Sequence, residues 1–110
     1  MKLYLDTSTP VTILRLDDQE YTWESGRDLA EGLHRFIADK LSENGVSWHD
    51  ITEITFMSGP GSFTGLRIGA AVVNTIADQL KIPLSDHHGV QHQVIIPVYG
   101  KPANITPSKK

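Results

Sequence analysis

A glycine-rich string joins two apolar segments of this chain and limits the folds that are open to it. Residues 54–57 have the composition of a buried strand, and soon after them come Gly59-Pro60-Gly61-Ser62-Phe63-Thr64-Gly65. In residues 66–80, apolar side chains recur at helical spacing. A glycine-rich turn between a strand and a helix commonly presents backbone N–H groups to an anion, and the helix N-terminus adds partial positive charge. The string has no Walker lysine and no dinucleotide-binding pattern, so nucleotide binding is not the favoured interpretation.

Three segments before this string have the composition of strands. Residues 3–5 are apolar and lead into the polar tetrad Asp6-Thr7-Ser8-Thr9. Residues 11–16 are rich in β-branched side chains, and residues 20–24 alternate aromatic with polar side chains. Turn-forming residues separate these two segments. We therefore predict three sequential strands that form an antiparallel meander.

Helical spacing begins after the third of these segments. From Arg27 onward the apolar residues recur every three or four positions, namely at Leu29, Leu33, Phe36, Ile37 and Leu41. Asn44-Gly45 supplies a left-handed stop, and residues 47–50 have capping-box spacing. This pattern predicts an amphipathic helix, followed by one short helical turn before the buried strand.

The C-terminal part of the chain has less regular patterns. Residues 82–84 are strand-like, residues 85–92 are polar and rich in histidine, and residues 94–99 have the apolar run of a last strand. The element order predicts an α/β domain with a mixed sheet and two helices that cover one or both of its faces. We assign this single domain to residues 1–99. We interpret residues 100–110, with two prolines and a basic end, as an extended arm.

Composition and charge exclude several classes of protein. The chain has no cysteine, so disulfides, thiolate nucleophiles and zinc sites with sulfur ligands are excluded. Its formal charge of −3 gives no basic surface of the kind that nucleic-acid-binding proteins direct at phosphates. The N-terminal residues lack a signal-peptide apolar region, and no apolar run is long enough to span a bilayer. We expect a cytoplasmic protein.

The longer string GPGSFTGLRIG, from Gly59 to Gly69, resembles the signature of the TsaB family, whose members are also called YeaZ. The residues LYLDTST at positions 3–9 are similar to the first strand and loop of that family, and Ile82-Pro83-Leu84 follows the second helix as in the family. The resemblance covers about residues 2–84. The paralogous catalytic family, TsaD, carries a different glycine-rich string at this place, so the resemblance is to the non-catalytic branch.

This resemblance implies one RNase H-like lobe of the superfamily that contains actin, sugar kinases and Hsp70. Family members usually have two such lobes, and this chain matches the first. In the superfamily a nucleotide lies between the lobes, and only the loop of the first lobe is present here, formed by Asp6, Thr7, Ser8 and Thr9. A single lobe leaves most of a nucleotide in water, whereas ligand pockets bury about 70–90% of their ligand. We expect no cofactor, and no tight ATP binding by the isolated chain.

Several polar residues have more than one interpretation. Asp6 is able to coordinate a metal-bound phosphate, but its tetrad is also local turn chemistry, which we favour. Arg67 is placed to bind an anion or a partner carboxylate, or to lie on the surface. His88 and His92 resemble a metal-binding pair of TsaD, but the match is shifted by one residue, so we favour a polar connector without metal. Ser62 lies in no nucleophile motif, and no catalytic residue is predicted.

The second helix has more apolar residues than one buried face requires. Its main stripe consists of Leu66, Gly69, Ala70, Val73, Ile76, Ala77 and Leu80, while Ile68, Ala71 and Val72 make other sides apolar too. In the TsaB family, the two helices of the first lobe pair with the equivalent helices of TsaD or of another TsaB copy. The resemblance therefore implies a partner interface at the stripe. The alternative is a helix buried between the sheet and the C-terminal arm.

The function implied by the resemblance is that of a non-catalytic scaffold in tRNA N6-threonylcarbamoyladenosine modification, bound to a TsaD-like transferase. It also implies a homodimer in isolation, a TsaE-like ATPase reached through the complex, indirect contact with tRNA, and no membrane contact. The alternative is a reduced ATP- or metal-dependent enzyme of the same superfamily that is completed by dimerisation. The apolar run at residues 94–99 argues against a third interpretation, a degenerate fragment.

Overall fold

The computed structural model describes residues 1–98 of the chain. The strands are β1 (Lys2–Asp6), β2 (Val11–Leu16), β3 (Gln19–Glu24), β4 (Glu53–Phe56), β5 (Leu84–Asp86) and β6 (Gln91–His92), and the helices are α1 (Leu29–Glu43) and α2 (Phe63–Leu80). Two 3₁₀ turns, Gly26–Asp28 and Trp48–Asp50, precede α1 and β4. The predicted meander, both helices and the short helical turn before β4 are confirmed. No helix within the described residues is long and apolar enough to cross a membrane.

One mixed sheet contains these strands in the order β3-β2-β1-β4-β5-β6. The first three strands are antiparallel, and Leu5 lies opposite Leu14. β4 is parallel to β1 and β5 is parallel to β4, with Leu5 opposite Phe56 across the β1–β4 pair. β6 pairs antiparallel with β5. The sheet confirms the predicted α/β class, and the parallel pairing brings the carboxyl ends of β1 and β4 to the same edge.

One face of the sheet carries the core, and both helices cover that face. Its buried side chains are Leu3, Leu5, Leu14, Leu16, Ile54, Phe56 and Leu84. α1 packs Leu33 and Ile37 into the same cluster, and α2 adds Leu66 and Val73. Each such side chain contributes about 1.5–3 kcal/mol when it is fully removed from water. The opposite face stays partly exposed, for example at Tyr4.

Two boundaries around α2 differ from the predictions. The helix starts at Phe63, not at residue 66, because Ser62 caps it: the Ser62 hydroxyl accepts a hydrogen bond from the Gly65 N–H at 3.2 Å. The following strand starts at Leu84, not at residue 82. Lys81 ends α2 in left-handed backbone, with φ of 58°, and the next residues carry the chain away from the helix.

The last part of the described chain contradicts two predictions. Residues 85–92, predicted as a polar connector, form the end of β5, a turn and β6. Residues 94–98 form no strand, so the predicted closing strand is wrong there. The backbone of Ile95 bonds to the side chain of Asn74 and not to a neighbouring strand. The Asn74 amide donates to the Ile95 carbonyl at 3.0 Å, and its oxygen accepts from the Ile95 N–H at 2.8 Å. Residue 99 and the predicted arm at residues 100–110 lie outside the described residues.

Candidate functional site

Two loops meet at the edge of the sheet where β1 and β4 end. The first loop contains residues 6–9, and the glycine loop contains residues 59–65. The Ser62 N–H donates to the Ser8 carbonyl at 2.8 Å. The buried Thr7 hydroxyl donates to the Gly65 carbonyl at 2.7 Å. These bonds tie the first loop to the start of α2, so the structure brings together two groups of residues that the sequence analysis singles out.

The glycine loop approaches the first loop too closely for a side chain at two positions. A Cβ atom on Gly61 would lie 2.5 Å from the Cβ of Ser8, and one on Gly65 would lie 2.2 Å from the Thr7 carbonyl oxygen. Both distances are well inside van der Waals contact. Pro60 follows a cis peptide bond and is exposed. Packing between the two loops therefore accounts for these glycines without an anion.

Asp6 and Ser62 both use their side chains within the loops. The Asp6 carboxylate accepts the Ser8 N–H at 2.8 Å and the Ser8 hydroxyl at 2.6 Å, which is an Asx turn. The Ser62 hydroxyl caps α2, and no histidine nitrogen bonds to it within the described part of the chain. These contacts give both side chains a structural role, and they supply no nucleophile and base pair.

A groove of about 310 Å³ lies beside the two loops. Arg27, Ser62 and Thr64 are among the residues that line it. Arg67 is not among them: this exposed side chain places its guanidinium 5.4 Å from the centre of the Phe63 ring. The geometry of Arg67 thus agrees with a surface position, whereas Arg27 lines the groove beside the loops. The sequence does not point to Arg27, because this residue lies 35 positions before Ser62 in the chain.

A histidine-rich hairpin, residues 84–92, contacts Ser58, the residue that directly precedes the glycine loop. The His92 Nε2 atom lies 2.8 Å from Asp86 Oδ2, and Asp86 Oδ1 accepts the N–H groups of His88 and Val90. The hydrogen bond with His92, followed by these backbone bonds, lowers the pKa of Asp86 to about 2. His87 Nδ1 lies 3.3 Å from both the N and the Oγ of Ser58. Asp86 therefore organises the hairpin turn.

The predicted metal candidates His88 and His92 do not share a helix face. His88 lies in the turn of the hairpin, whereas His92 belongs to β6. Among residues 1–98, no three metal-ligating side chains come together. Asp86 was not predicted as the partner of His92, although an aspartate three residues before Gly89 is a turn signal.

Most residues of the partner interface predicted on α2 are buried in the core of the chain itself, and Ile76 and Leu80 also line a groove on the surface. Leu66 and Val73 are 0% exposed, and Ile76 and Ala77 are also buried. Gly69 packs so closely that a Cβ there would meet the Phe56 ring at 2.6 Å. The stripe faces the sheet, because the helix buries its most apolar side against the core of its own chain. Among the seven stripe residues, only Leu80 remains partly exposed.

Two of the three additional apolar residues of α2, Ala71 and Val72, line an exposed groove, which we call the helix groove. The third, Ile68, lines the smaller groove beside the two loops. The helix groove has a volume of about 530 Å³, and it lies between α1, the 3₁₀ turn Trp48–Asp50 and α2. Its walls include His34, Trp48, Ala71, Val72, Thr75 and Leu80. The rings of His34 and Trp48 stack with centroids 5.0 Å apart and planes at 23°. This apolar surface lies on the flank of α2 beside the buried stripe.

The sequence model of a protein family described as "TsaD: tRNA N6-adenosine threonylcarbamoyltransferase" matches residues 23–100. The chain belongs to the TsaB/TsaD family. The solved structure of YeaZ from Pseudomonas aeruginosa superposes with a TM-score of 0.69 at 34% identity, over 77% of this chain and 42% of that one. The resemblance to TsaB and YeaZ is therefore confirmed, as is the fold.

Relatives come from both branches of the TsaB/TsaD family. The tRNA N6-adenosine threonylcarbamoyltransferase of Nitrosospira multiformis is 30% identical over 83 residues, which are 76% of this chain and 24% of that protein. The threonylcarbamoyladenosine biosynthesis protein TsaB of Escherichia coli is 33% identical over 58 residues, 53% of this chain and 25% of that protein. The chain spans about a quarter of the length of these two relatives. The similarity therefore does not by itself assign the activity of the complete relatives to this chain.

Proposed function

We propose that this chain is a non-catalytic subunit that binds a TsaD-like transferase and so supports N6-threonylcarbamoyladenosine modification of tRNA. The observation that carries the proposal is the exposed apolar helix groove on the α1 and α2 face. Exposed apolar grooves of this kind mark interaction sites, because leaving them in water is unfavourable. The net charge of −3 supports indirect contact with tRNA.

A TsaD-like transferase fits this surface because it is itself a relative. The chain resembles both TsaB and the transferase, so the transferase contains a lobe of the same kind. Two related lobes are able to pair their helix faces around a pseudo-twofold axis, in the way that identical subunits use one patch twice. The same reasoning supports a homodimer when the chain is alone. A TsaE-like ATPase would then join through the transferase.

The two loops support a non-catalytic role. Asp6 is engaged in its Asx turn and Ser62 in its cap, and the glycines are explained by close packing. Nucleophilic catalysis uses a nucleophile hydrogen-bonded to a base, and the bonds of Asp6 and Ser62 stay within the loops instead. The second candidate, a reduced ATP-dependent enzyme completed by dimerisation, is favoured by the 310 Å³ groove beside Arg27. Micromolar ATP affinity in isothermal titration would support that enzyme.

The test is reconstitution with the transferase of the same cell. Size-exclusion chromatography with light scattering should show a complex of one chain with one transferase, and the complex should modify tRNA faster than the transferase alone. The chain alone should transfer no threonylcarbamoyl group. Absence of a complex at tens of micromolar would refute the proposal. A monomeric mass of 12.2 kDa for the isolated chain would refute only the homodimer.

A further inference from the structure

We infer that the Asn44-Gly45 pair at the end of α1 is a site of spontaneous deamidation, and that a hydrogen-bonded cap on the helix controls its rate. An asparagine followed by glycine is especially prone to this reaction, because glycine has no side chain to hinder attack by its own backbone nitrogen. Both residues are exposed to water. A Cβ on Gly45 would meet no atom within 4 Å, so the surroundings of the site are open as well. The inference is independent of the proposed function.

The reaction needs only these two residues and water. The Gly45 nitrogen attacks Cγ of Asn44, loses its proton and forms a new N–C bond, while the bond from Cγ to Nδ2 breaks and ammonia leaves. The product is a cyclic imide. Water then opens either carbonyl of the ring, which gives aspartate or, with the main chain rerouted through the side chain, isoaspartate. No oxidant, reductant or other reactant is required.

The C-terminal cap of α1 holds the backbone of the pair in a conformation that does not react. Asn44 has φ of −93° and ψ of 3°, and Gly45 follows in left-handed backbone with φ of 69°. The Gly45 N–H donates to the Ser42 carbonyl at 3.0 Å, and the Val46 N–H donates to the Leu41 carbonyl at 3.0 Å. This pair of bonds is a Schellman motif. The attacking nitrogen is therefore fixed in place while the cap is closed.

The side chain of Asn44 is held by two further hydrogen bonds. Its Nδ2 atom, the leaving group of the reaction, donates to the Lys40 carbonyl at 2.7 Å and to the Tyr21 hydroxyl at 2.8 Å. Tyr21 lies on β3, so the second bond joins the end of α1 to the edge of the sheet. Ring closure requires Asn44 to rotate, and this rotation breaks both bonds. Opening of the cap thus sets the rate of deamidation, and the hydroxyl of Tyr21 slows it.

Deamidation also prevents the cap from closing again. A carboxylate at position 44 has no N–H to donate to the Lys40 carbonyl, and it places a negative charge beside Glu43 at the negative end of the helix dipole. Isoaspartate lengthens the main chain by one carbon atom, which the Schellman bonds do not accommodate. The modification therefore releases the end of α1 from β3.

Incubation of the full chain at mildly alkaline pH, followed by peptide mapping with mass spectrometry, measures the reaction. The folded wild-type chain should slowly accumulate aspartate and isoaspartate at position 44. Asn74 is the internal reference: it lies within α2 and is followed by threonine, so it should remain an amide. Unfolding the chain in urea should speed deamidation of Asn44 at least about tenfold, since the bonds of the cap are then lost.

Tyr21→Phe tests the bond between β3 and α1, because it removes the hydroxyl and keeps the ring. We expect this variant to speed deamidation of the folded chain about two- to tenfold. Tyr4→Phe is the matched control, since Tyr4 lies on β1 with Arg15 over its ring, on the sheet face opposite the helices. The control variant should react at the wild-type rate.

The outcomes separate the parts of the inference. An intact Asn44 amide after prolonged incubation in urea, or deamidation of Asn74 as fast as that of Asn44, would overturn the choice of site. Equal rates in the folded and unfolded chain would overturn control by the cap. A folded Tyr21→Phe variant that reacts at the wild-type rate would overturn the part assigned to Tyr21. If that variant does not give a native circular dichroism spectrum, the comparison of folded and unfolded wild-type chain still decides whether the cap protects Asn44.

Discussion

Replacing Gly65 with alanine should destabilise the chain, although alanine is the better helix former. The new Cβ would lie 2.2 Å from the Thr7 carbonyl oxygen, so α2 and the first loop would have to move apart by about 1 Å, since carbon and oxygen do not approach closer than about 3.2 Å. Overpacking of this kind costs about 1–3 kcal/mol. The same movement weakens the buried hydrogen bond from the Thr7 hydroxyl to the Gly65 carbonyl. If these groups stay unpaired, the unfolding free energy falls by about a further 1–3 kcal/mol.

Alanine returns up to about 1 kcal/mol of helix propensity, so the net loss of unfolding free energy is about 1–5 kcal/mol. In a domain of this size, that loss lowers Tm by about 5 °C or more. Thr64→Ala is the control, because Thr64 is exposed in the same helical turn, and we expect it to stay within about 0.5 kcal/mol of wild type. Urea denaturation provides the measurement. If Gly65→Ala were as stable as Thr64→Ala, loop packing would not explain the glycine.

Two further predictions concern the last third of the chain. Asp86→Asn should destabilise the chain most above about pH 4: the folded pKa of about 2 is below the ordinary 3.8, so the stabilisation from Asp86 is complete above pH 4 and disappears as pH falls through 2. Urea midpoints of both proteins between pH 2 and 7 check this, and a difference independent of pH would refute it. Asn74→Ala removes both hydrogen bonds to Ile95, so it should lower the unfolding free energy by about 1–3 kcal/mol and speed amide hydrogen exchange of Ile95. Unchanged exchange at Ile95 would contradict the role given to Asn74.

The elements that the sequence predicts best are those with a clear local period. The strand at Val11–Leu16 has the predicted bounds, because alternation and β-branched composition are properties of the segment itself. The hydrogen bonds between Asn74 and Ile95 were not predictable in this way, since they join a helix side chain to the backbone of a residue 21 positions later. The bond between Thr7 and Gly65 likewise spans 58 positions.

For the candidate site, helical periodicity alone does not predict the orientation of α2. Helical spacing shows that Leu66, Val73 and Ile76 share a side, but it does not say whether that side meets the sheet or a partner. The most apolar stripe packs against the sheet, since burial in the chain's own core gives the larger gain in hydrophobic free energy. The weaker flank around Ala71 is left for the helix groove, and that groove also needs Trp48 from a separate segment.

A single introduced cysteine tests most directly whether a TsaD-like transferase covers the α1 and α2 face. The chain has no cysteine, so the thiol of Thr75→Cys would report on the helix groove alone. Thr22→Cys, exposed on β3, is the control on the far edge of the sheet. We predict that saturating transferase slows maleimide modification of Thr75→Cys at least about tenfold and leaves Thr22→Cys unaffected. Equal rates for Thr75→Cys with and without bound transferase, or protection of Thr22→Cys instead, would contradict the proposed interface.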